Sequence, residues 1–284
     1  MTVDDAHLAQ AHEFDVEPIV IGGRLSHRQY FQQTFRHRDF LIRYPISVLR
    51  AKNREALLGI AWEVINPLLL VGTWWIIRGV VFPRSGGDNY LAFLIVGIFT
   101  YQYMQRFVVT AANAVDRSQN LMLSFNFPAL VGPVQHTVST FVSNIPNVVI
   151  MLLFVWTTGV TPAGWWLLVP ILVIGQTAFG LGGALLLARF SVGNVDLKNA
   201  LPFVFRLLFY ASGVIFPLED RIRGKAIAWL FDLNPFYAIT STARAVVMDT
   251  PLHLATVLSA AGWVIILPLV GYVVFRTGDH RYVD

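Results

Sequence analysis

The chain has 284 residues, of which 55% are hydrophobic and only 13% are charged, with a formal net charge of +4. Soluble domains carry roughly 25% charged residues, so this composition excludes an ordinary soluble domain. The sequence holds no cysteine, which excludes a disulfide framework and any metal site built from thiolates. Several apolar runs reach the length of about 20 residues that a helix needs to cross a membrane. The predicted fold class is therefore an all-α integral membrane protein.

The part of the chain ahead of the first apolar run divides into two predicted regions. Residues 1–22 are acidic and polar, and we expect a disordered cytoplasmic tail there. Residues 23–58 are predicted to contain an amphipathic interface helix, because Tyr30, Phe31 and Phe35 share one helical face. A simple anchoring helix that follows the positive-inside bias is the alternative interpretation.

The remaining residues, 59–284, are predicted to form one transmembrane domain with six spanning helices. The spans are expected at residues 61–82, 91–115, 134–158, 165–188, 200–217 and 255–276. With the N-terminus inside, the inner segments hold thirteen Lys and Arg residues and the outer segments hold five. Because Lys and Arg concentrate on the cytoplasmic side of membrane proteins, both termini are predicted to be cytoplasmic.

Two of the connections are more apolar than solvated loops usually are. The inner connection 116–133 is rich in Leu, Met and Phe, which predicts a short helix that docks onto another protein or lies flat on the membrane. The outer segment 218–254 is interrupted at Asn234 and Pro235, and neither half is long enough to span. It predicts a re-entrant helical hairpin packed against protein, with two tightly joined spans as the alternative.

Sequence motifs for catalysis and nucleotide binding are absent. The chain contains no GxxxxGK[ST] phosphate-binding loop and no HExxH zinc motif. The predicted spans also lack the buried acids on which ion-coupled carriers run, apart from Glu63 at a helix end. We therefore predict that the chain is not an enzyme, binds no cofactor or metal itself, and takes any energy for transport from a partner.

Arginine and aromatic residues inside the predicted spans need an explanation. An arginine facing lipid costs about 3 kcal/mol at mid-bilayer, and Arg106 lies deep in its span, so it is expected to face protein or water. Aromatic faces can stack on the apolar faces of sugar rings, which favours a glycan channel; core packing is the other interpretation. The candidate channel residues are Tyr101, Tyr103, Arg106, Phe107, Phe205, Phe209 and Tyr210.

The fourth predicted span contains small residues at intervals of four. Gly180, Ala184 and Ala188 form one such row, and Ala178 and Gly182 form another. Small side chains at this spacing let two helix backbones approach each other, so the pattern predicts close helix packing.

Several stretches, in their order along the chain, carry a resemblance to a known family. They are RD at 38–39 with RY at 43–44, LLGIAWEVINPLL, FNFPALVGP, NVDLKNALPFVFRLLFYASGVIFP and LNPFYAITSTARAVV. Over residues 36–250 the chain resembles the membrane subunits of ABC exporters of lipid-linked polysaccharides, the Wzm and teichoic-acid-exporter type. It departs from many of them in the inserted stretch PISVLRAKNREA. Its Ala-, Val- and Arg-rich composition favours the exporters of actinobacterial cell-wall galactan within this family.

The resemblance implies a homodimer in the bacterial inner membrane, together with two copies of a separate ATPase subunit that binds ATP and Mg²⁺. The amphipathic region would be a cytoplasmic gate helix, residues 116–133 and 189–199 would dock on the ATPase, and the hairpin would close the outer mouth. The cargo would be a polyprenyl-diphosphate-linked polysaccharide that moves through an aromatic-lined channel at the dimer interface.

The resemblance also gives expected roles to residues outside the channel. The residues expected at the cytoplasmic gate and lipid headgroup are Arg38, Arg43, Arg50, Lys52, Trp62 and Asn66. The residues expected to couple to the ATPase are Leu121, Phe125, Phe127, Asn194 and Asp196. The basic gate residues would attract the diphosphate of a lipid carrier, although a charge bias that only sets orientation would also explain them.

Two other functions stay open at this point. A permease for drugs or small lipids, from the same superfamily, would have fewer stacking aromatics and no gate helix. A membrane-embedded glycosyltransferase or a flippase without an ATPase would have clustered acids at one membrane face, and the sequence lacks such a cluster.

Overall fold

The structure, a computed structural model, describes residues 61–81, 89–125, 130–191, 194–218, 227–251 and 253–277. The predicted tail at 1–22 and interface region at 23–58 lie outside these residues. All regular secondary structure in the described residues is helical, so the all-α prediction is confirmed. The helices are α1 Ala61–Val81, α2 Tyr90–Phe125, α3 Val131–Thr157, α4 Val169–Ser191, α5 Val195–Ala211, α6 Ala228–Asp232, α7 Pro235–Met248 and α8 Leu254–Arg276, with a 3-10 helix at Gly164–Leu168.

Four stretches among the described residues are long and apolar enough to cross a membrane. They are Tyr90–Ala112, Val131–Thr157, Gly164–Ser191 and Leu254–Arg276. The first predicted span corresponds to α1, whose apolar run is interrupted by Glu63, Asn66 and Arg78. The fifth corresponds to α5, which has only 17 residues. The count of six spans therefore stays a prediction.

α2 is the central helix of the bundle and contacts α1, α3, α4, α5 and α7. In the most apolar stretch of α2, 72% is buried inside the protein, whereas in the corresponding stretch of α8 only 11% is buried. α2 has 36 residues, which corresponds to a length of about 54 Å, against about 30 Å for the hydrocarbon layer. The first part of the predicted connection 116–133 therefore continues α2 as far as Phe125, instead of forming a separate short helix.

The small residues of α4 allow close contacts on two sides. A side chain at Gly182 would collide with the backbone of α8 at Leu267 and Pro268. A side chain at Gly180 would collide with the ring of Phe107 on α2. The close packing that the spacing of small residues predicts is present, and it holds α4 between α2 and α8.

The segment predicted as a re-entrant hairpin contains the two short helices α6 and α7. α6 ends at Asp232 and α7 begins at Pro235, so the interruption lies at the predicted Asn234–Pro235 position. Thr256 of α8 donates a hydrogen bond of 2.8 Å to the Asp232 carboxylate. α7 itself is almost entirely buried against α2 and its neighbours. Whether the two helices re-enter the membrane from one side stays a prediction.

Candidate functional site

An ion pair joins α1 to α2. A guanidinium nitrogen of Arg106 lies 3.0 Å from a carboxylate oxygen of Glu63, and both side chains are partly buried. Because an unpaired arginine inside a span costs about 3 kcal/mol, pairing with Glu63 explains how Arg106 is tolerated. The position agrees with the expectation that Arg106 faces protein or water, while its assignment to a channel stays a prediction. The sequence reasoning missed Glu63 as the partner.

Polar contacts continue from this pair to α3. The hydroxyl of Thr110 donates to the carbonyl oxygen of Arg106 and lies 2.9 Å from Nε2 of His136. Thr140 donates to the carbonyl oxygen of His136 at 2.9 Å. A connected set of polar residues thus crosses three helices. We call the following residues the polar chain: Glu63, Arg106, Thr110 and His136.

The three predicted aromatic channel residues of α2 lie inside the helix bundle. Tyr101, Tyr103 and Phe107 on α2 are fully buried. The Tyr101 hydroxyl donates to the carbonyl oxygen of Phe205 on α5, and the Tyr103 hydroxyl lies 2.7 Å from the hydroxyl of Thr177 on α4. Their observed contacts are those of packing and of hydrogen bonds between helices, and their assignment to a channel stays a prediction.

α5 has one buried face and one exposed face. Phe205 and Phe209 lie four residues apart on the buried face. Arg206 and Tyr210 lie on the exposed face, and the Tyr210 side chain is 47% exposed. The Tyr210 ring also meets Trp74 of α1 edge-on, with centroids 6.0 Å apart. Among the predicted channel residues of α5, Tyr210 is therefore the one that a molecule outside the protomer can reach.

The predicted gate residues fall partly within the described chain. Trp62 and Asn66 are exposed near the start of α1, on either side of Glu63 in sequence. They are therefore close to the end of α1 that carries the polar chain. The basic residues of the predicted gate lie outside the described residues: Arg38, Arg43, Arg50 and Lys52.

The predicted coupling residues lie at the end of α2 and the start of α5. Leu121 and Phe125 belong to the last turns of α2, although their side chains, like all of Phe127, lie outside what the structure describes. Asn194 is the N-cap of α5, and its side chain accepts a 3.0 Å hydrogen bond from the backbone three residues on. Asp196 lies in the first turn, where the helix dipole favours a negative charge. Both have a local role that favours helix formation, and their contact with an ATPase stays a prediction.

Arg244 on α7 belongs to the LNPFYAITSTARAVV stretch that carries the family resemblance, but its burial was not predicted, and it was counted among the charges of an outer connection. It is only 6% exposed. Its guanidinium donates to the carbonyl oxygens of Gly213 at 2.9 Å and Val214 at 2.7 Å, and its Nε donates to that of Phe93 at 3.3 Å. The guanidinium carbon also lies 3.4 Å from the centre of the Phe93 ring. We call this set of contacts the Arg244 clamp, which fastens α7 to α2 and to the turn after α5.

Asn234 fixes the start of α7 close to the same turn. Its side chain accepts a 3.0 Å hydrogen bond from the backbone N–H of Phe236, which caps the helix. Its amide nitrogen donates to the hydroxyl of Ser212, also at 3.0 Å. The proline that follows is favoured in the first turn of a helix. The LNPF stretch therefore starts α7 and ties it to the end of α5.

Comparison with known proteins bears directly on these features. The family described as ABC-2 type transporter matches residues 134–248, which include α3, α4, α5, the Asn234 cap and Arg244. This part of the chain is therefore similar to ABC-2 type transporters. It is also similar to an O-antigen export system permease protein RfbA of Klebsiella pneumoniae, with 24% identity over 247 residues, covering 87% of this chain and 94% of the relative. A protein of the same name from Myxococcus xanthus is 26% identical over 215 residues, covering 76% and 82%.

The similarity to these permeases agrees with the prediction of a multi-pass membrane protein that acts as a transport component. The hydrolysis of ATP belongs to a separate subunit in this family. Within the described residues, no three His, Asp or Glu side chains are grouped as metal ligands.

Proposed function

We propose that this chain is the permease subunit of an ATP-driven exporter that moves a lipid-linked polysaccharide across the bacterial inner membrane. The relatives named O-antigen export permeases align with it over most of both chains, which supports a polysaccharide as cargo. A polyprenyl diphosphate is the proposed lipid carrier, and cell-wall galactan is the proposed glycan on the basis of composition.

The observation that carries the proposal is the exposed face of α5. An arginine that faces lipid in the membrane is costly, by about 3 kcal/mol, so Arg206 favours a watery or protein-covered surface. Phe203 and Tyr210 lie on the same exposed side and are 62% and 47% exposed. A surface that combines a cation with aromatic rings suits a glycan better than it suits hydrocarbon, because sugars offer both hydroxyl groups and apolar C–H faces.

A second copy of the chain would complete this surface. Two protomers that face each other through α1 and α5 would enclose a passage between their exposed aromatic faces. Trp74 of α1 meets Tyr210 edge-on, so α1 would border the exposed face of α5 at this point. The buried Tyr101, Tyr103 and Phe107 would then support the wall from behind.

The proposed route for the energy of ATP begins outside the membrane. α2 is longer than the hydrocarbon layer is thick, so its Phe125 end can reach a partner ATPase if it points to the cytoplasm. The start of α5 at Asn194 would provide a second contact on the same side. Both chain termini are cytoplasmic in this arrangement.

The cytoplasmic entrance is proposed to lie at the start of α1. Trp62 and Asn66 are exposed there, beside the polar chain. Arg38, Arg43, Arg50 and Lys52 would hold the diphosphate of the lipid carrier, since cations bind phosphates through strong charge-assisted hydrogen bonds.

An export assay with paired variants tests the proposal. Tyr210→Ala and Arg206→Leu should reduce glycan at the cell surface and raise lipid-linked glycan in inner leaflets, while the complex with the ATPase still purifies. Ile265→Ala on α8 is the matched control, because Ile265 is 61% exposed on a helix whose apolar stretch is mostly exposed. Full export by both α5 variants would show that this face meets lipid. Normal surface glycan after depletion of the whole chain would reject the exporter function itself.

A further inference from the structure

A small cavity lies between α2, α3, α4 and α7, near the middle of the membrane-spanning bundle. Its volume is about 30 Å³, and most of the wall is apolar. Four polar side chains nevertheless line it, and each is at least nine-tenths buried: Thr100, Asn144, Asn147 and Gln176. A water molecule needs roughly 10–15 Å³ of such space, so the cavity has room for about two.

Asn147 is the residue whose side chain indicates that the cavity holds an occupant. It is 3% exposed, and within the described residues its Oδ1 accepts no hydrogen bond. Its Nδ2 reaches the carbonyl oxygen of Ser143 only at 3.5 Å, which is long for an N–H···O bond. A buried amide oxygen without a donor costs about 1–3 kcal/mol, and more where no bulk water is near.

The backbone of α3 has a second polar group without its usual partner, in the same segment as Asn147. Pro146 lies inside the helix and has no N–H, so the carbonyl of Val142 lacks its usual donor one turn later. The kink that a proline introduces in a spanning helix is tolerated where waters or neighbouring side chains satisfy the freed group. Polar side chains from α2 and α4 meet α3 at this point, through Thr100 and Gln176.

We propose that this cavity is a binding site for ordered water, which donates to Asn147 Oδ1 and bridges it to the polar groups of α2 and α4. The occupant is water and not a metal cation, because every polar side chain that lines the cavity is neutral and none is a carboxylate. Internal water would let α3 shift against α2 and α4 while the Asn147 amide keeps its hydrogen bonds. The inference does not depend on which cargo the transporter carries.

Radiolytic footprinting of the full chain, purified in lipid nanodiscs, tests this site. X-rays convert bound water into hydroxyl radicals that oxidise the nearest side chain, and Met151 lines the cavity. Met104 is the internal control, because it is also buried and does not line the cavity. We expect several-fold more oxidation of Met151 than of Met104 under X-rays. With radicals generated only in bulk solvent, both methionines should be protected equally.

Two variants separate the site from general loosening of the fold. Asn147→Leu removes the amide, and Ala243→Val keeps the amide but narrows the cavity that Ala243 lines. Each variant should lower Met151 oxidation to the level of Met104. If Asn147→Leu does not fold, Ala243→Val still provides the test. Equal oxidation of the two methionines in the unaltered chain would mean that the cavity is dry. If Na⁺ but not K⁺ raises the melting temperature, and Asn147→Leu abolishes this rise, the occupant of the cavity is a cation and not water.

Discussion

Two arginines that join α2 to other helices, Arg106 near its middle and Arg244 close to its start, are held in different ways. Arg106 meets the side chain of Glu63, in a partly exposed pair between α1 and α2. Arg244 is deeply buried and donates to three backbone carbonyls while it covers the ring of Phe93. Backbone acceptors stay in place as long as the helices do, whereas two side chains can separate by rotating. The comparison indicates a fixed joint at the Arg244 clamp and a separable one at the polar chain.

The largest effect is expected from breaking the fixed joint. Arg244→Leu would leave the carbonyls of Gly213 and Val214 without this donor, and each buried orphan costs about 1–3 kcal/mol. We expect a loss of about 3 kcal/mol or more in the free energy of unfolding, read as a large fall in melting temperature in detergent. Arg244→Lys should recover part of the loss, because it keeps the charge but not the planar group. An unchanged melting temperature in the leucine variant would contradict the clamp.

A smaller effect is expected from crowding the same joint. A side chain at Gly97 of α2 would collide with the guanidinium of Arg244. Gly97→Ala should therefore cost about 1–3 kcal/mol through overpacking, although alanine favours helices over glycine. Gly72→Ala in α1 is the matched control, because nothing lies within 4 Å of a side chain there, and it should be neutral or stabilising. Equal melting temperatures for the two variants would remove Gly97 from the clamp.

Breaking the ion pair of the polar chain should cost less stability, and this loss should depend on the salt concentration. Glu63→Gln removes the charge opposite Arg106, and we expect a loss of about 1 kcal/mol, because partly exposed pairs are weakened by water. The difference from the unaltered chain should shrink at high ionic strength, when melting is compared at two salt concentrations. Exchanging the two residues, Glu63→Arg with Arg106→Glu, should restore part of the stability. A salt-independent loss would indicate that the pair is as rigid as the clamp.

A similarly small effect, without the dependence on salt, is expected at the edge of the clamp. The Tyr90 hydroxyl donates a 2.9 Å hydrogen bond to the carbonyl oxygen of Ile215, next to the turn that Arg244 holds. Tyr90→Phe keeps the ring against Phe93 and beneath Arg78, so only the hydrogen bond is lost. We expect about 1 kcal/mol in the free energy of unfolding. A loss as large as that of Arg244→Leu would mean that the turn depends on Tyr90 instead.

Much of the fold could be predicted from the sequence because apolar run length reports helices directly. The interior position expected for Arg106 followed from the cost of a charge in lipid. Its partner Glu63 was missed because a residue at a helix end can always be explained by solvent. The burial of Arg244 was missed because its helix is too short to span, so it was counted with a connection. Neither error could be corrected without knowing which helices are neighbours.

The aromatic residues show a second limit of prediction from the sequence, which concerns the direction of side chains. On α5 the four-residue spacing of Phe205 and Phe209 matches one buried stripe, and this spacing could have separated them from Tyr210. On α2 no such separation was possible, because the helix is surrounded by neighbours on most sides. A helix that is apolar all round gives no periodic signal for the direction of its side chains.

The long α2 contains no proline, whereas α1, α3, α5 and α8 contain Pro67, Pro146, Pro202 and Pro268. Those four helices can bend near their prolines, whereas α2 lacks this cause of a kink, and we expect it to tilt as a unit. For a rod of about 54 Å that pivots at its middle, a tilt of about 10° displaces each end by about 5 Å, in opposite directions. α2 is thus a lever, with the fulcrum in the crowded centre of the bundle. A displacement of the Phe125 end would therefore move the other end, where Phe93 lies beneath Arg244, in the opposite direction.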